Sequence, residues 1–351
     1  MEFASDNTSG ASPEVLAALI AANDGYAPSY GTDPIMDKVT ALIRKQFEAP
    51  EAAVYLVPTG TAANALSLAL YCPEWGAIYC AEAAHVDVDE CGAPEFYIGG
   101  GKMAPIPAPH GKITPDALST RLAQTPQGGV HHIQHGLLTL TNLTEAGTAY
   151  RPAEIAALSA IARAHGLKTH MDGARFANAL AAAGCTPAEM TWKAGIDILS
   201  LGGTKNGCMG VEAVILFDPT KAWELELRRK RGAHLFSKHR FLSAQMQGYL
   251  TDEAWLMRAR HANRMAAHLS AGLASLPGGS LVHPTEGNII FARFPRALHR
   301  KAMAAGGHYY LWPFVQSLEG GDEVPLSARF VCSWSTTEAE VDHFLALLRA
   351  C

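Results

Sequence analysis

Short apolar segments alternate with longer segments of helical period along the first two thirds of the chain. A short apolar run between turn signals is typical of a buried strand, and apolar residues at every third or fourth position are typical of a helix packed on a core. This alternation predicts an α/β fold with a largely parallel sheet. The predicted strands are 53–57, 77–81, a segment within 130–140, 167–171, 196–201 and 213–217, and the predicted helices are 13–22, 34–47, 62–71, 152–165 and 176–183.

The last third of the chain has a different pattern. The charged segment 221–250 predicts two helices joined near Gly232, and a long helix over 252–276 is followed by Pro277-Gly278-Gly279, which is interpreted as a boundary. The tail predicts strands 288–294 and 329–333 with helices 296–305 and 338–348. The predicted organisation is an N-terminal segment (1–30), a large α/β domain (31–250), and a linking helix with a small α+β domain (251–351).

Composition narrows the class of partner. The chain has 351 residues, 48% of them hydrophobic and 17% charged, which is enough to bury a large core. The net charge of −5 gives no basic field for nucleic acid or an anionic membrane, so a small-molecule partner is expected.

Cysteine usage and hydropathy indicate a compartment. The seven cysteines are an odd number without CxxC spacing, which favours reduced thiols and the cytoplasm. The first residues lack the basic and apolar regions of a signal peptide, and no run of about 18 uncharged apolar residues occurs. We therefore expect neither secretion nor a membrane span.

Polar residues at the ends of the predicted strands are the main pointer to function. Gly60, His85, Asp172 and Lys205 all follow a predicted strand closely. Ligands of parallel α/β sheets bind beyond the carboxyl ends of the strands. The four residues are therefore predicted to meet in one site.

Lys205 and Asp172 suit pyridoxal phosphate (PLP). Lys205 lies on a glycine-rich turn in 196–211, whose glycines are expected to allow a sharp turn and to leave room for a bulky partner. A lysine amine forms a Schiff base with the PLP aldehyde, and an aspartate keeps the pyridine nitrogen protonated. Taken alone, Lys205 could be a solvated surface lysine, and Asp172 a helix cap or part of an ion pair.

The Gly60-Thr61 turn is a candidate phosphate site. It follows a strand and opens a helix, so its amides and the Thr61 hydroxyl can receive a phosphate, although an ordinary tight turn has the same sequence. Neither a G-x-G-x-x-G nor a G-x-x-x-x-G-K-[ST] motif is present. The phosphate is therefore not expected to belong to a dinucleotide or a nucleoside triphosphate.

Histidines and arginines supply further candidates. His85 could stack on a planar cofactor and reach a substrate hydroxyl, or simply pack. Arg175 and Arg329 could grip a substrate carboxylate through two hydrogen bonds, or lie on the surface. The HHIQH segment has no cysteine or acidic partner nearby, so no metal site is predicted from its histidines, His131, His132 and His135.

Taken in order, the segments FASDN, YGTDP, PTGTAAN, HMDGAR and LGGTKNG, followed by SKHRF, resemble the low-specificity L-threonine aldolases and the similar phenylserine aldolases. The resemblance extends from about Phe3 to Arg329. It implies an aminotransferase-like PLP enzyme of fold type I, with a mostly parallel seven-stranded sheet in the large domain. It also implies a homo-oligomer, expected to be a tetramer built as a dimer of dimers with shared active sites.

The resemblance implies roles for individual residues. Lys205 would be the Schiff-base lysine, Asp172 the partner of the pyridine nitrogen, and His85 the residue stacked on the ring. Gly60 and Thr61 would bind the phosphate. The remaining implied residues are Ser5, Arg175 and Arg329 at the substrate carboxylate, with Arg175 also near the cofactor; Arg240 at the cofactor phosphate of a neighbouring subunit; and Tyr30 near the active site.

One departure from the family pattern affects the chemistry. Many members carry a second histidine near the substrate hydroxyl, where this chain reads Asn142-Leu143-Thr144. The base for the hydroxyl proton then remains open among His85, a bound water and a histidine of HHIQH.

The implied reaction is that of a carbon–carbon lyase. A retro-aldol reaction would cleave L-threonine, L-allo-threonine or phenylserine to glycine and an aldehyde. The alternatives are another fold-type-I reaction, namely hydroxymethyl transfer, transamination or racemisation, and a doubly wound ligand-binding protein without cofactor chemistry.

Three aromatic residues have two possible interpretations. They could line a pocket for an aryl aldehyde, or they could belong to the core of the small domain. These residues are Tyr309, Trp312 and Phe314.

Overall fold

A seven-stranded sheet forms the centre of the protein in the computed structural model, which describes residues 1–350. The strand order is β1-β7-β6-β5-β4-β2-β3, and only β7 runs antiparallel to its neighbours. The predicted mostly parallel seven-stranded sheet is therefore confirmed. The strands are β1 (Ala53–Val57), β2 (Gly76–Ala81), β3 (Lys102–Ile106), β4 (Gln134–Thr141), β5 (Lys168–Gly173), β6 (Ile198–Gly202) and β7 (Glu212–Leu216).

Helices cover both faces of this sheet and bury its apolar side chains in the main core. The helices that precede or connect its strands are α1 (Pro13–Ala22), α2 (Pro34–Gln46), α3 (Gly60–Tyr71), α4 (His85–Val88), α5 (Ala93–Ile98), α6 (Pro115–Ala123), α7 (Pro152–Ala164), α8 (Phe176–Ala183) and α9 (Pro187–Met190). Those that follow it are α10 (Ala222–Arg231), α11 (Arg240–Leu250), α12 (Ala254–Ala274), α13 (Arg296–Ala304) and α14 (Glu338–Arg349).

A second, antiparallel sheet follows in the chain, in the order β10-β11-β9-β8. It has its own apolar core, in which Tyr309, Phe330 and Phe344 pack on one another, and Phe3 from the chain start inserts there. The first residues are thereby fixed beside this sheet. Its strands are β8 (Ser280–Leu281), β9 (Ile289–Pro295), β10 (Tyr310–Leu311) and β11 (Pro325–Val331).

Most predicted elements are confirmed, and two differ in ways that have a physical reason. Helix α3 begins at Gly60 instead of 62, because the Thr59 hydroxyl caps it by accepting from the Ala62 amide at 3.2 Å. Strand β11 begins at Pro325 instead of 329, because its pairing with β9 runs from Pro325 opposite Pro295. The domain limits at 30 and 250 remain predictions.

The six cysteines within residues 1–350 are all free thiols, as the sequence predicts, whereas Cys351 lies outside the described residues. Across the same residues, no helix combines the length and the apolar character that crossing a membrane requires.

Candidate active site

A cavity lies at the carboxyl ends of β4, β5 and β6, where the first turn of α3 meets them. Strand ends of a parallel sheet and a helix N-terminus converge there, as the topology predicts. The structure brings six of the predicted site residues into its lining, namely Gly60, Thr61, His85, Asp172, Arg175 and Lys205.

Lys205 lies on a single helical turn directly after β6. The neighbouring Asn206 anchors this turn, since its side-chain amide donates to the Tyr249 hydroxyl at 3.1 Å and to the Trp255 carbonyl at 2.8 Å. Within residues 1–350, no hydrogen bond or ion pair engages Lys205 Nζ. The charge of Arg175 and burial lower the pKa of the Lys205 amine, which increases its nucleophilic, uncharged fraction.

The glycines before Lys205 do not leave room for a bulky partner, contrary to the expectation from the sequence. A Cβ on Gly202 would collide with the Ala174 backbone, and one on Gly203 would lie 2.7 Å from the Val211 carbonyl oxygen. These glycines permit close backbone packing instead. Gly207 fits the predicted turn, because its φ of 109° is in the region that favours glycine.

Asp172 lies one residue before the end of β5 and is a buried carboxylate whose two oxygens both accept hydrogen bonds. Its Oδ1 accepts from the Ala174 amide at 2.9 Å, and its Oδ2 accepts from the Asn64 side chain at 3.0 Å. Neutral donors therefore hold Asp172 in the cavity wall without neutralising its charge. That arrangement suits a cationic ligand group such as a protonated pyridine nitrogen.

His85 is held by a buried glutamate. Its Nδ1 lies 2.9 Å from Glu90 Oε1, and the Asn64 side chain donates to the same oxygen at 2.8 Å. The hydrogen bond to Glu90 raises the pKa of His85 above its usual value, although burial opposes this. Because a carboxylate only accepts, the proton resides on Nδ1, and Nε2 remains available.

The first turn of α3 has the properties of an anion site. The Gly60 and Thr61 amides lack intrahelical partners at this position and border the cavity. A Cβ built on Gly60 would meet no atom within 4 Å, so space is open in front of the turn. An anion-binding turn, a free lysine amine and a fixed carboxylate in one cavity fit the phosphate, aldehyde and pyridine nitrogen of PLP.

Arg175 forms a two-point ion pair with Asp6, which the sequence did not suggest. Its Nε and Nη2 donate to the two Asp6 oxygens at 2.7 and 2.9 Å, and Asn288 donates to Asp6 at 3.0 Å. Burial would raise the pKa of Asp6, but the Arg175 charge and hydrogen bonds lower it overall. Ser5 lies beside this pair, and its hydroxyl accepts from the Asn7 amide at 3.1 Å.

Arg329 lies on β11 next to the same N-terminal segment. Its Nη2 donates to the Ala4 carbonyl at 3.2 Å, and its Nε is buried without a partner. The guanidinium packs on the ring of Trp312 with 5.3 Å to the centroid. Tyr309 belongs to the small core, whereas Phe314 packs on Trp312 and is 67% exposed, so the three aromatic residues do not form one pocket.

Two predicted residues, Arg240 and Tyr30, do not line this cavity. Arg240 donates to the carbonyls of Asp24 and Gly25 at 3.3 and 3.0 Å. Tyr30 is 45% exposed, and the Lys230 amine lies 4.9 Å from the centre of its ring. The predicted places of Arg240 at a neighbour's cofactor phosphate and of Tyr30 near the active site therefore stay predictions.

The segment Asn142-Leu143-Thr144 borders the cavity but offers no base. The Asn142 side chain pairs with the Tyr150 backbone, the Thr144 hydroxyl lies 2.8 Å from that of Thr148, and only Leu143 lines the cavity. The HHIQH histidines lie at the opposite end of β4, about 20 Å from its carboxyl end at roughly 3.3 Å per residue. They cannot act in this cavity.

Sequence reasoning missed four polar residues of this site. Each is an acid or amide with at least one partner 26 or more positions away. Three lie inside segments that already drew attention: Asp6 in FASDN, Asn64 in PTGTAAN and Glu90 five residues after His85. Their place in those segments was the available signal. The missed residues are Asp6, Asn64, Glu90 and Glu145.

Similarity to known proteins agrees with this geometry. Residues 2–295 match the family described as Beta-eliminating lyase. A low specificity L-threonine aldolase of Pseudomonas sp. (strain NCIMB 10558) is 43% identical over 349 residues, covering 99% of this chain and 97% of the relative.

Solved structures agree as well. The threonine aldolase of Leishmania major is 28% identical with a TM-score of 0.89, covering 99% of this chain and 98% of that chain. A structure of SPT with PLP is 16% identical with a TM-score of 0.71, covering 99% of this chain and 86% of that chain. The latter likeness concerns the fold alone, which is fold type I as predicted. The chain therefore belongs to the Beta-eliminating lyase family and, within it, to the low-specificity L-threonine aldolases.

Proposed function

We propose that this protein is a PLP-dependent aldolase that cleaves L-β-hydroxy-α-amino acids to glycine and an aldehyde. Family membership over nearly the whole chain supports the reaction. The observation that carries the proposal is the unpaired Lys205 amine in one cavity with the fixed Asp172 carboxylate.

The cavity residues would hold PLP as follows. Lys205 would bind its aldehyde carbon covalently, Asp172 its pyridine nitrogen, and the Gly60-Thr61 turn its phosphate, with His85 against the ring. When bound, PLP supplies an acceptor for the electron pair that bond cleavage leaves on the substrate Cα.

Substrate positioning would fall mainly to Arg329. Its buried, unpartnered Nε is a donor whose desolvation a substrate carboxylate would offset through a charge-assisted hydrogen bond. Arg175 already forms an ion pair with Asp6, so its guanidinium would have to bind Asp6 and the substrate carboxylate at the same time to fill its predicted role. Asp6 would then fix the geometry of Arg175, and Ser5 keeps the place at the substrate carboxylate that the resemblance implies.

The proposed assembly is a homotetramer built as a dimer of dimers, in the cytoplasm. Arg240 lies away from the cavity of its own protomer, as expected of a residue that contacts a neighbour's phosphate. Exposed apolar side chains flank Asp24 and Gly25 in the sequence, since Ile20 is 76% exposed and Tyr26 is fully exposed, which suits an interface. The six cysteines of residues 1–350 are free thiols, which supports a reducing compartment.

The test is a substrate panel with L-threonine, L-allo-threonine and phenylserine, each assayed for released aldehyde and for glycine. We expect both products from at least one member in equal amounts. L-2-Aminobutyrate, which lacks the hydroxyl, is the matched control and should release no aldehyde. If none of the three β-hydroxy amino acids yields glycine and aldehyde, the proposed reaction is wrong.

A further inference from the structure

A third carboxylate, besides Asp172 and Glu90, borders the cavity near His85. Glu145 follows the Leu143 wall and lines the cavity together with His85 and Asp172. Its Oε1 accepts two hydrogen bonds, from the His85 amide and the Thr141 hydroxyl, both at 2.9 Å. These two donors fix the carboxylate.

The other oxygen of Glu145 has no such partner. Oε2 is shielded from solvent and makes no hydrogen bond within residues 1–350. A shielded carboxylate oxygen without a donor is costly, so a ligand hydroxyl that donated to it would recover that cost. Glu145 Oε2 is therefore suited to accept a hydrogen bond from a hydroxyl group of a ligand.

Other proton acceptors of the cavity are more heavily committed. Both Asp172 oxygens accept hydrogen bonds, and His85 Nδ1 is bound to Glu90. Glu90 also leaves one oxygen unpartnered, but its charge faces the His85 imidazole. Glu145 forms no ion pair with a cationic side chain within residues 1–350.

The electrostatic surroundings of Glu145 also favour it as a proton acceptor. Burial and the nearby charge of Asp172 raise the pKa of Glu145, although the His85 amide and Thr141 oppose the shift. A carboxylate of raised pKa is a stronger base once ionised.

We propose that Glu145 is a catalytic residue that removes the β-hydroxyl proton of the substrate at Oε2. This inference rests on the proposed aldol cleavage. The O–H pair becomes the second bond of the aldehyde carbonyl, the Cα–Cβ bond breaks, and its electron pair stays on Cα. The proton moves to Glu145 Oε2, Cα takes up one proton to give glycine, and Glu145 returns its own to solvent.

The test compares two reactions of the PLP-loaded Glu145→Gln variant. Threonine cleavage needs the hydroxyl base, whereas exchange of the glycine α-proton in deuterated water does not. We expect the kcat of cleavage to fall by at least about 100-fold, within the range for loss of a general base, while glycine exchange falls by less than about threefold. Glu145→Asp keeps a carboxylate and should cleave faster than Glu145→Gln.

A readout independent of turnover completes the test. Infrared difference spectra between the wild-type holoenzyme and Glu145→Gln, followed over pH, should contain one protonated carboxyl that persists above the usual glutamate range. Loss of that band already at ordinary glutamate pH would overturn the assignment.

Three kinetic outcomes are distinguishable. Equal losses of cleavage and exchange, or no loss of cleavage in Glu145→Gln, would each overturn the role of Glu145 while leaving the aldolase function intact. If the wild-type protein releases no aldehyde from any member of the substrate panel, the proposed function itself fails and the role of Glu145 fails with it.

Discussion

The two ends of the central sheet both carry histidines, and these differ in chemistry. At the carboxyl ends, His85 lies 2.9 Å from the buried Glu90 carboxylate, which raises the pKa of the imidazole. At the amino end of β4, His135 lies 2.7 Å from the neutral Tyr79 hydroxyl, and burial with the nearby His165 lowers its pKa. His85 is paired with a carboxylate in the cavity, whereas His135 is a packing group.

This contrast shows that the group hydrogen-bonded to a histidine determines the acid–base properties of its imidazole. HHIQH is richer in histidine than the His85 segment, but the cavity and its carboxylates lie only at the other edge. Substitution of a charged side chain should therefore reduce activity at the carboxyl edge of the sheet, where the cavity lies. The same kind of substitution at the amino edge should leave activity unchanged.

The largest expected effect separates two lysines at opposite edges. Lys205→Ala should reduce threonine cleavage by at least about 10³-fold, because it removes the proposed covalent attachment, and should abolish the visible absorbance of the bound cofactor. Lys168→Ala, which removes an exposed pair with Asp197 at 2.8 Å at the start of β5, should leave kcat unchanged and cost at most about 1 kcal/mol of stability. Absorbance spectra and steady-state kinetics measure both.

A Lys205→Ala protein that remained yellow and active would contradict the assignment of this lysine. A loss of activity in Lys168→Ala as large as in Lys205→Ala would remove the contrast between the two edges.

Glu212 provides a pH test at the carboxyl edge. This buried residue accepts from the Gly203 amide at 2.8 Å, and burial raises its pKa from 4.5 to about 7. The folded state therefore holds a proton that the unfolded chain has lost, so stability falls as pH rises from 4.5 to about 7. Glu212→Gln should remove up to about 3 kcal/mol of that decline, at about 1.4 kcal/mol per pKa unit.

Urea unfolding of the two holoenzymes at several pH values between 5 and 8 gives the comparison. Equal slopes of unfolding free energy against pH for wild type and Glu212→Gln would show that Glu212 titrates normally.

The smallest expected effect concerns the two histidines compared above, His85 and His135. Glu90→Gln should lower the pKa of His85, because it removes the largest cause that raises it, and should reduce cleavage by about 10-fold to 100-fold. The imidazole would then lose its proton at lower pH than in the wild type. His135→Asn should change neither activity nor its pH profile.

An NMR titration of the His85 ring in the two proteins measures the shift directly. An unchanged His85 pKa in Glu90→Gln would mean that the carboxylate does not control this imidazole.

The sequence was sufficient for the frame of the site and insufficient for its hydrogen-bond network. Apolar runs with helical spacers located the strand ends, and with them Gly60, His85, Asp172 and Lys205. The pairing of Arg175 with Asp6 joins residues 169 positions apart, and Asn64 contacts Asp172 across 108 positions. Such contacts arise from tertiary packing, and no local spacing encodes them.

The predicted ends of strands and helices were inexact for a similar reason. Pairing with β9 extended β11 toward its start, and a side-chain cap at Thr59 placed Gly60 inside α3 instead of before it. The second difference agrees with the phosphate site predicted at this turn, because the Gly60 amide lies in the first turn of a helix, where anions bind.

The most direct measurement is the location of the cofactor on the chain. Reduction of the PLP-loaded protein with borohydride fixes the cofactor to the lysine that carries it, and mass spectrometry of the digested protein identifies the peptide. We predict a single phosphopyridoxyl group on Lys205. A protein that carried no such group, or carried it on another lysine, would contradict the account of this cavity.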